Sequence, residues 1–573
     1  MLTFGTHPFT DPSIFPLSIK NLNIIINPWK QILVVVFLYE SKVHVCLSVI
    51  GDAEGFSGWD LGMQSIYRSS FGLIAAVTVM ISLAVFVLAV FTSVPGSFTL
   101  DVPSLQLISV VDESISESGA LLTPTQDADS SHVQYLIQND HLKDADVQVI
   151  KTKDSLQQEA GTGPKLWAVL VAGSNEFYNY RHQADVCHAY QILRRNGIPP
   201  ENIIVMMYDD IANSTENPTP GIIINRPNGS DVYAGVVKDY VGDDVTPENF
   251  MKVLLGDEEG LKGVGSGKVL KSGPNDHVFI NFVDHGAPGL VAFPNDELHA
   301  KELKKVLGKM HLHKKFAKLV FYLEACESGS MFQNLLPAHW NIFATTAANS
   351  DESSYACYFD DVRQTYLGDV YSVMWMENAD SVNLSLETLQ AQFLVVRNET
   401  NTSHVQEFGD RSLRHLEVSQ FLGASDPMDL LELPPVELDP IAVGDVPQAL
   451  LERKLSRAVS VEEKREIKQK LNRLHKLRKF VTNTMMDIIN QVTGGDMAAK
   501  EIILRNHFPL IDFDCYERAA KFFSQRCFSI AKNSFVTRKL YLLVNICERG
   551  WPIERIVNAM AHTCRHSPIT GIN

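Results

Sequence analysis

Two short phrases in the middle of the chain end at side chains capable of nucleophilic chemistry. Phe282–Gly286 reads FVDHG and brings an apolar run to His285, while Phe321–Gly329 reads FYLEACESG and brings a similar run to Cys326. A cysteine attacks as its thiolate, and an adjacent histidine can accept the thiol proton. Placed side by side, these two residues would form a nucleophile with its base.

The surrounding sequence predicts the elements that would position them. Each phrase is an apolar, β-branched or aromatic run of strand length, and Glu297–Met310 between them has apolar residues at helical spacing. Strand, helix and strand predict a βαβ unit, whose parallel strands end at the same edge of the sheet. We therefore expect His285 and Cys326 at neighbouring strand ends, where open α/β sheets carry their sites. The alternative, a core cysteine and a turn histidine, leaves the paired strand-end positions unexplained.

A second strand–helix–strand pattern precedes this one. Leu166–Val171 and Ile203–Met207 are predicted as buried strands on either side of a helix at Gln183–Arg195, in which Cys187 has core spacing. The two patterns together predict an α/β fold, with a mostly parallel sheet covered by helices on both faces. The loop 173–185 leaves a strand end, so its asparagine, arginine and histidine are also expected at the rim.

Length, composition and net charge limit the classes of protein to which the chain could belong. The chain has 573 residues, 45% hydrophobic and 20% charged, which is typical of globular protein and long enough for roughly two to four domains. Its net charge of −17 argues against nucleic acid as the main partner, because phosphate binding needs a basic face.

Four of the eight cysteines lie close together near the C-terminus, at Cys515, Cys527, Cys547 and Cys564. They predict two disulfides if the chain enters an oxidising compartment, and the sequence leaves all three connectivities open. A zinc site is the competing interpretation, but no CxxC pair is present.

The N-terminal third contains a candidate targeting segment. Phe71–Phe91 is uncharged and follows Arg68, so residues 63–94 are predicted to be a signal peptide or signal anchor. We take Met63 as the working start and residues 1–62 as an uncertain leader; peptides from 1–62 in the mature protein would contradict this. Residues 95–163 are acidic with little periodicity and are predicted to be a spacer or pro-segment. Five glycosylation sequons follow the apolar run, at Asn213, Asn228, Asn383, Asn398 and Asn401.

The C-terminal part begins with a Pro-rich acidic linker at 423–449, followed by a helical region at 450–573, strongly so over Leu450–Val492. Residues 451–480 contain eleven Lys or Arg and four Glu, a net charge of +7. This run is either a solvated helix face or a basic module that docks on the acidic remainder of the chain.

The phrases YNYRHQAD, MYDD, SGKVLKSGP, DHG, EACESGSM, ESSYACY and TYLGD occur in this order. Together they resemble the legumain family of asparaginyl endopeptidases, in the caspase–haemoglobinase clan of cysteine peptidases. The resemblance covers Pro164–Leu422, the expected catalytic domain, and the four-cysteine tail is similar to the family's inhibitory pro-domain. It implies a caspase–haemoglobinase-like fold, with no metal and no cofactor.

The resemblance also assigns roles by position. Cys326 matches the nucleophile, His285 the catalytic histidine and Asn179 the asparagine that orients it, while the amides of Gly286 and Cys326 are expected to hold the oxyanion. The residues that match the specificity pocket are Arg181, His182, Glu324, Ser353, Ser354 and Asp369.

Such a pocket should distinguish asparagine from aspartate by charge. An asparagine side chain needs a donor and an acceptor, which Arg181 and Asp369 would supply. An ionised aspartate would face Glu324 and Asp369, whereas protonated aspartic acid resembles asparagine. Since an aspartate side chain in water has an ordinary pKa of about 3.9, we expect cleavage after Asn at roughly pH 5 to 6 and after Asp nearer that value.

The same resemblance implies a zymogen whose C-terminal domain covers the site until acid releases it, with Arg538 facing Glu327. Protonation of carboxylates on the catalytic domain would weaken its attraction to the basic helices. Without an asparagine near Arg457, Asp439 and Asp445 are the expected self-cleavage points. By analogy, Cys515 pairs with Cys547 and Cys527 with Cys564.

Other activities stay open at this stage. The acyl-enzyme could be captured by an amine, as in peptide ligases or GPI transamidase, whereas a silent binding module would be expected to lack Cys326 or His285. The expected partners are protein or peptide substrates, the pro-domain in cis and cystatin-type inhibitors, with a possible membrane anchor through Phe71–Phe91. The expected location is the secretory pathway, in a lysosome, endosome or vacuole-like acidic compartment, or outside the cell.

Overall fold

The computed structural model describes residues 163–424 and 430–572, together with the backbone of four strands near the N-terminus. The chain divides at residue 148 into two compact units. In the first unit, four strands pair antiparallel in the order β1-β2-β3-β4. They are β1 (Ser18–Asn27), β2 (Lys30–Tyr39), β3 (Lys42–Ile50) and β4 (Gln64–Tyr67).

The predicted targeting segment Phe71–Phe91 and nearly all of the acidic segment 95–163 lie outside the described residues. Among the helices that the structure does describe, none has both the length and the apolar character needed to cross a bilayer.

The second unit contains the remaining elements. Its strands are β5 (Leu166–Ala172), β6 (Ile203–Met206), β7 (His277–Val283), β8 (Gly286–Ala287), β9 (Leu290–Ala292), β10 (Glu297–His299), β11 (Lys318–Glu324), β12 (Ile342–Thr346), β13 (Tyr355–Asp360), β14 (Thr365–Asp369), β15 (Gln406–Gly409) and β16 (Ile441–Ala442). Its helices are α1 (Tyr180–Arg195), α2 (Pro247–Leu255), α3 (Ala300–Leu312), α4 (Val370–Ser381), α5 (Leu389–Glu399), α6 (Ser419–Leu422), α7 (Val446–Arg457), α8 (Val461–Thr493), α9 (Met497–Arg505), α10 (Phe513–Arg526), α11 (Ser534–Thr537), α12 (Tyr541–Glu548) and α13 (Ile553–Thr563).

A six-stranded sheet in the order β15-β12-β11-β7-β5-β6 forms the centre of the catalytic part. All its pairings are parallel except that of the edge strand β15. Both faces are buried, one under α1, α4 and α5 and the other under α2 and α3, which is why the central strands are apolar throughout. The predicted parallel sheet with helices on both faces is confirmed.

One predicted helix start was wrong, and one helical region has more detail than the sequence predicted. The helix expected from Glu297 begins only at Ala300, because Glu297–His299 pairs with β9 and the His299 N–H donates to the Glu302 carboxylate at 3.1 Å as a helix cap. The strongly helical character expected over Leu450–Val492 is confirmed; the range contains two helices, α7 and α8, since Ser460 caps the second by accepting from the Glu463 N–H.

The C-terminal helices surround a core of their own. It also takes in Ala287 and Leu290 of the catalytic part, so the helical domain shares apolar contacts with the β8–β9 hairpin. Disulfide bonds join Cys515 to Cys547 and Cys527 to Cys564, the pairing that the resemblance implies.

The five sequons all lie in the catalytic part. Four of their asparagines are exposed and Asn383 is half-buried. Their glycosylation stays a prediction.

Candidate active site

The sheet brings His285 and Cys326 to the same edge. β7 and β11 are neighbours, with Val283 opposite Glu324, so both strands end together and both residues line one cavity of about 420 Å³. Gly286 packs so closely on the nucleophile loop that a Cβ there would lie 2.1 Å from the Cys326 carbonyl oxygen. The paired strand-end positions expected from the sequence are therefore present.

A buried asparagine fixes the orientation of the histidine. The Asn179 amide N–H donates to the Asn175 carbonyl at 2.9 Å, which leaves its Oδ1 to accept from His285 Nε2 at 3.0 Å. His285 therefore carries its proton on Nε2 and presents an unprotonated Nδ1 as the base. His182 packs edge-to-face on the same ring, with centroids 5.0 Å apart.

In this covered state the reacting groups are neutral. Burial and the neighbouring Glu327 carboxylate raise the pKa of Cys326 to about 11, although Ser353 and Ser354 oppose the rise. Burial and the Arg181 charge lower the pKa of His285 to about 3. A thiol paired with a neutral imidazole is a dormant form of the dyad, because the attacking species is the thiolate.

Beside the dyad lies a fully buried cluster of polar side chains, made of residues that match the predicted specificity pocket. Arg181 Nε donates to Asp369 Oδ1 at 2.8 Å, and the Ser372 N–H and hydroxyl donate to Glu324 Oε2 at 3.0 and 3.1 Å. Three buried atoms are left without a hydrogen-bond partner: Arg181 Nη2, Asp369 Oδ2 and Glu324 Oε1. Unpaired buried polar groups are costly, so their convergence indicates a site for a polar ligand.

The other predicted pocket residues lie nearby. Ser353 and Ser354 place their hydroxyl oxygens 3.4 and 3.7 Å from Cys326 Sγ, so they stand between the nucleophile and the pocket. His182 Nε2 is 3.6 Å from Asp369 Oδ2, and its Nδ1 is 2.6 Å from the Ser174 hydroxyl.

Two residues of the site were missed. Ser372 holds Glu324, and Asp185 is completely buried beside Asp369. Asp185 follows Arg181 by four positions and so shares its helix face, a spacing that could have identified it. Ser372 carries no comparable signal, because only the tertiary fold brings α4 to β11.

One group of side chains has metal-ligand chemistry among the described residues. His182, Asp284 and His285 present ligand atoms within 4.8 Å of one another. Since His285 is hydrogen-bonded to Asn179 and faces the nucleophile's cavity, we assign this group to the dyad and its support.

The helical domain and the linker close the cavity. His507–Leu510, Arg538 and Tyr541 line it opposite Cys326, and a Cβ on Gly289 would lie 2.6 Å from the Leu510 side chain. Ion pairs such as Glu302–Lys521, at 2.9 Å, join the two domains.

The two residues of the predicted latch lie at the same cavity, where Arg538 faces Glu327 without pairing with it. Glu327 and Arg538 both line the cavity, but the ion pair of Arg538 is with Asp445, at 2.5 Å. Burial raises the pKa of Glu327 well above its ordinary value, against the effect of Arg538, whereas Asp445 is exposed to water. The guanidinium therefore pairs with the solvated carboxylate, and a direct contact with Glu327 is not made here.

Two protein-family models match this chain. The peptidase C13 family matches residues 166–424, and the legumain prodomain matches residues 469–564. Legumain of Homo sapiens is 51% identical over 409 residues, covering 70% of this chain and 93% of that protein. The vacuolar-processing enzyme delta-isozyme of Arabidopsis thaliana is 41% identical over 446 residues (73% and 94%), and the hemoglobinase of Schistosoma japonicum is 44% identical over 405 residues (70% and 92%).

The family and prodomain matches therefore accompany a buried arrangement of Cys326, His285 and Asn179 that a helical domain covers. The chain belongs to the peptidase C13 family and is a cysteine-type endopeptidase that carries its own legumain-type prodomain.

Proposed function

We propose that this peptidase is an acid-activated zymogen that hydrolyses peptide bonds after asparagine. The observation that carries the proposal is the set of three unpaired atoms in the pocket. A carboxamide has one oxygen that accepts and an NH₂ that donates twice. Arg181 Nη2 offers the one donor, and Asp369 Oδ2 and Glu324 Oε1 offer the two acceptors.

The same geometry predicts how well other substrate side chains would bind in the pocket. An ionised aspartate brings only acceptors toward two acceptors, whereas protonated aspartic acid supplies one donor. Leucine leaves all three buried atoms unpaired, and sites built around hydrogen bonds reject such analogues by roughly 10⁴-fold or more.

The experiment that tests the proposal is a map of cleavage positions. The acid-treated enzyme is incubated at pH 5.5 with a peptide mixture made from denatured proteins, and the new termini are identified by mass spectrometry. Asparagine is expected before almost every scissile bond. Comparable cleavage after glutamine, leucine or lysine would contradict the pocket assignment.

The interface with the helical domain contains a group suited to acid release. His299 is buried against α10, and burial together with Lys521 lowers its pKa to about 4, although Glu517 and Glu302 pull the other way. When the helical domain is released, His299 regains contact with water, so its pKa is higher in the open state than in the covered state. Between pH 6.5 and 4, falling pH therefore favours release, by about 2 kcal/mol at pH 5.

Two carboxyls at the same interface act in opposite directions. Burial tends to raise the pKa of Glu302, but Lys521 and the His299 contacts lower it overall, so its protonation in strong acid also favours release. Glu297 accepts from Ser524 and the Ala531 N–H, yet burial raises its pKa, so its protonation favours the covered state. Protonation of a carboxylate is therefore expected to favour release at Glu302 and to oppose release at Glu297.

Replacing His299 with glutamine should make activation less sensitive to acid. The variant has no proton to gain on release, so the pH of half-maximal activation rate should fall by about one unit. Activation time courses from pH 4 to 7 provide the measurement, with exposed His313→Gln as the matched control. An unchanged midpoint in His299→Gln would show that His299 does not couple acid to release.

The linker lies on the active site as an added strand. β16 pairs antiparallel with β13, Ala442 opposite Tyr355, and the Val443 N–H donates to the Ser354 carbonyl at 3.1 Å. Val443 and Gly444 line the cavity that contains Cys326. The valine side chain has no polar atoms that could pair with the three unpaired atoms of the pocket. This segment therefore blocks the active site without making the hydrogen bonds expected of an asparagine.

Replacing Val443 with asparagine should convert the blocking segment into a substrate in cis. At pH 5 we expect cleavage between residues 443 and 444 to become a major self-processing event, detected by intact-mass spectrometry. Ala442→Asn is the matched control, because Val443 lines the cavity that contains Cys326 whereas Ala442 lies in β16 outside that lining. If Val443→Asn yields no product that ends at residue 443, the linker does not approach the site as a substrate does.

We place the protein in an acidic compartment of the secretory pathway. The two disulfides of the helical domain require oxidising conditions, and release through His299 requires acid. Cystatin-type inhibitors, and a membrane anchor through Phe71–Phe91, are further predictions that follow from the resemblance and the sequence.

A further inference from the structure

A second groove of the catalytic part lies near the active site and faces the helical domain. It has a volume of about 330 Å³, and the catalytic part lines it with three lysines of α3 and one aromatic ring. A Cβ on Gly308 of α3 would lie 2.8 Å from that ring, so helix and ring pack directly against each other. We call this surface the lysine groove, and its residues are Lys301, Lys304, Lys305 and Trp340.

One segment of the helical domain runs from the active-site cavity to the lysine groove. Its first part, His507–Leu510, lines the cavity that contains Cys326, and its second part, Ile511–Asp514, lines the lysine groove. Phe513 lines both. Since an extended chain advances about 3.3 Å per residue, a peptide that leaves the active site on this side reaches the groove within a few residues.

The segment contacts the catalytic part through an apolar side chain followed by an acidic one. Phe513 packs against the core of the catalytic part, and Asp514 forms an ion pair with Lys301. Behind the segment, the N–H groups of Ile511 and Asp512 donate to Glu548 at 2.7 Å. The segment is therefore fixed to α12 on one side and contacts the lysine groove on the other.

The groove has more positive charge than this occupant uses. Of its three lysines, Lys301 alone has an ion pair with a residue that the structure describes, although Lys305 is exposed and Lys304 is half-buried. When the helical domain leaves, Lys301 loses Asp514, and the adjacent Glu302 loses Lys521. Three lysines then stand against one carboxylate beside the active site, which favours an acidic partner.

The linker indicates which part of a substrate would reach the groove. β16 lies along β13 and leads to Val443, which the proposed function places just before the scissile bond. The side of the β8–β9 hairpin, where Leu510 packs against Gly289, is then left for the residues that follow the bond. This direction rests on the proposed function.

We propose that the lysine groove is an exosite for protein substrates, which binds an apolar residue followed by an acidic one several positions after the scissile bond. In the zymogen, Phe513 and Asp514 occupy it in this order. Release of the helical domain then uncovers the active site and the exosite together. Because an exposed ion pair contributes little, the aromatic contact is expected to supply most of the gain, and the lysines to supply the preference for an acid.

The test compares internally quenched peptides on the acid-released enzyme at pH 5.5, where an aspartate in water is ionised. All contain Ala-Ala-Asn and differ only in one residue pair, Phe-Asp, Phe-Lys or Ser-Ser, placed about four, five or six positions after the asparagine. We expect Phe-Asp to raise kcat/KM about tenfold over Ser-Ser, mainly through KM, and Phe-Lys to raise it by no more than about threefold. Equal values for Phe-Asp and Ser-Ser at every spacing, or for Phe-Asp and Phe-Lys, would overturn the proposal.

A charge reversal in α3 tests whether the lysines read the acidic residue. Lys305→Glu should lower the ratio of kcat/KM for Phe-Asp to that for Phe-Lys by about threefold. Lys309→Glu is the matched control, because Lys309 is an exposed lysine of the same helix that does not line the groove, and it should retain the ratio. An unchanged ratio in Lys305→Glu, or an equal fall in Lys309→Glu, would overturn the proposal. If none of the peptides is cleaved after asparagine, the proposed function itself fails, whereas equal cleavage of all of them refutes the exosite alone.

Discussion

Replacing Arg181 with lysine is expected to lower kcat/KM for an asparagine peptide by about 10³-fold at pH 5.5. Lysine keeps the positive charge beside Asp369 but loses the fork that also presents Nη2 to the substrate oxygen. Loss of one such preorganised donor costs roughly 3 to 4 kcal/mol. The measurement is steady-state kinetics on the acid-released enzyme.

The matched control lies on the same helix. Arg195→Lys changes an arginine that also pairs with an aspartate, Asp380, but Arg195 is partly exposed and lies at the far end of the helix from the pocket. It should retain activity within about threefold, since lysine keeps the positive charge beside Asp380 and no part of this pair contacts the substrate. If both variants lose activity equally, the effect of Arg181→Lys comes from the helix and not from substrate recognition.

Replacing Cys326 with alanine should abolish hydrolysis, with a fall of at least about 10⁴-fold, because no other group can form the acyl-enzyme. The zymogen should also stay uncleaved at pH 5, while the helical cover still loosens. Peptide hydrolysis and intact mass provide the two measurements.

Cys187→Ala controls for the loss of a thiol. Cys187 is also buried and unpaired, but it contacts Met207 in the core under the sheet. Its removal should affect stability more than turnover. Residual hydrolysis in folded Cys326→Ala would show that the nucleophile is another residue.

The residues at the strand ends could be predicted from the sequence because their pattern is local. Runs of strand length that stop at His285 and at Cys326, with a helix between them, specify parallel neighbours and a shared edge. The strand-end loop 173–185 also placed Asn179, Arg181 and His182 at the rim, but their roles and the rest of the pocket came only from the resemblance, since nothing in the spacing indicates how these residues pair.

Other features depend on contacts that a single segment does not encode. Leu298 would fit the apolar face of a helix as well as a strand. It lies in a strand because Glu297–His299 pairs with β9. β16 has only two residues and exists because β13 offers them an edge beside the active site. The pairing of Arg538 with Asp445 instead of Glu327 likewise depends on which carboxyl stays in water.

The most direct test of the account is the pH dependence of cleavage after asparagine and after aspartate by one enzyme preparation. Purified zymogen is released by acid, and kcat/KM is measured from pH 3.5 to 7 on Ala-Ala-Asn and Ala-Ala-Asp fluorogenic peptides, with Cys326→Ala as the blank. We expect the asparagine peptide to be cleaved best near pH 5 to 6 and the aspartate peptide only as pH approaches about 4. Equal rates on both peptides at neutral pH would contradict a pocket built around a carboxamide.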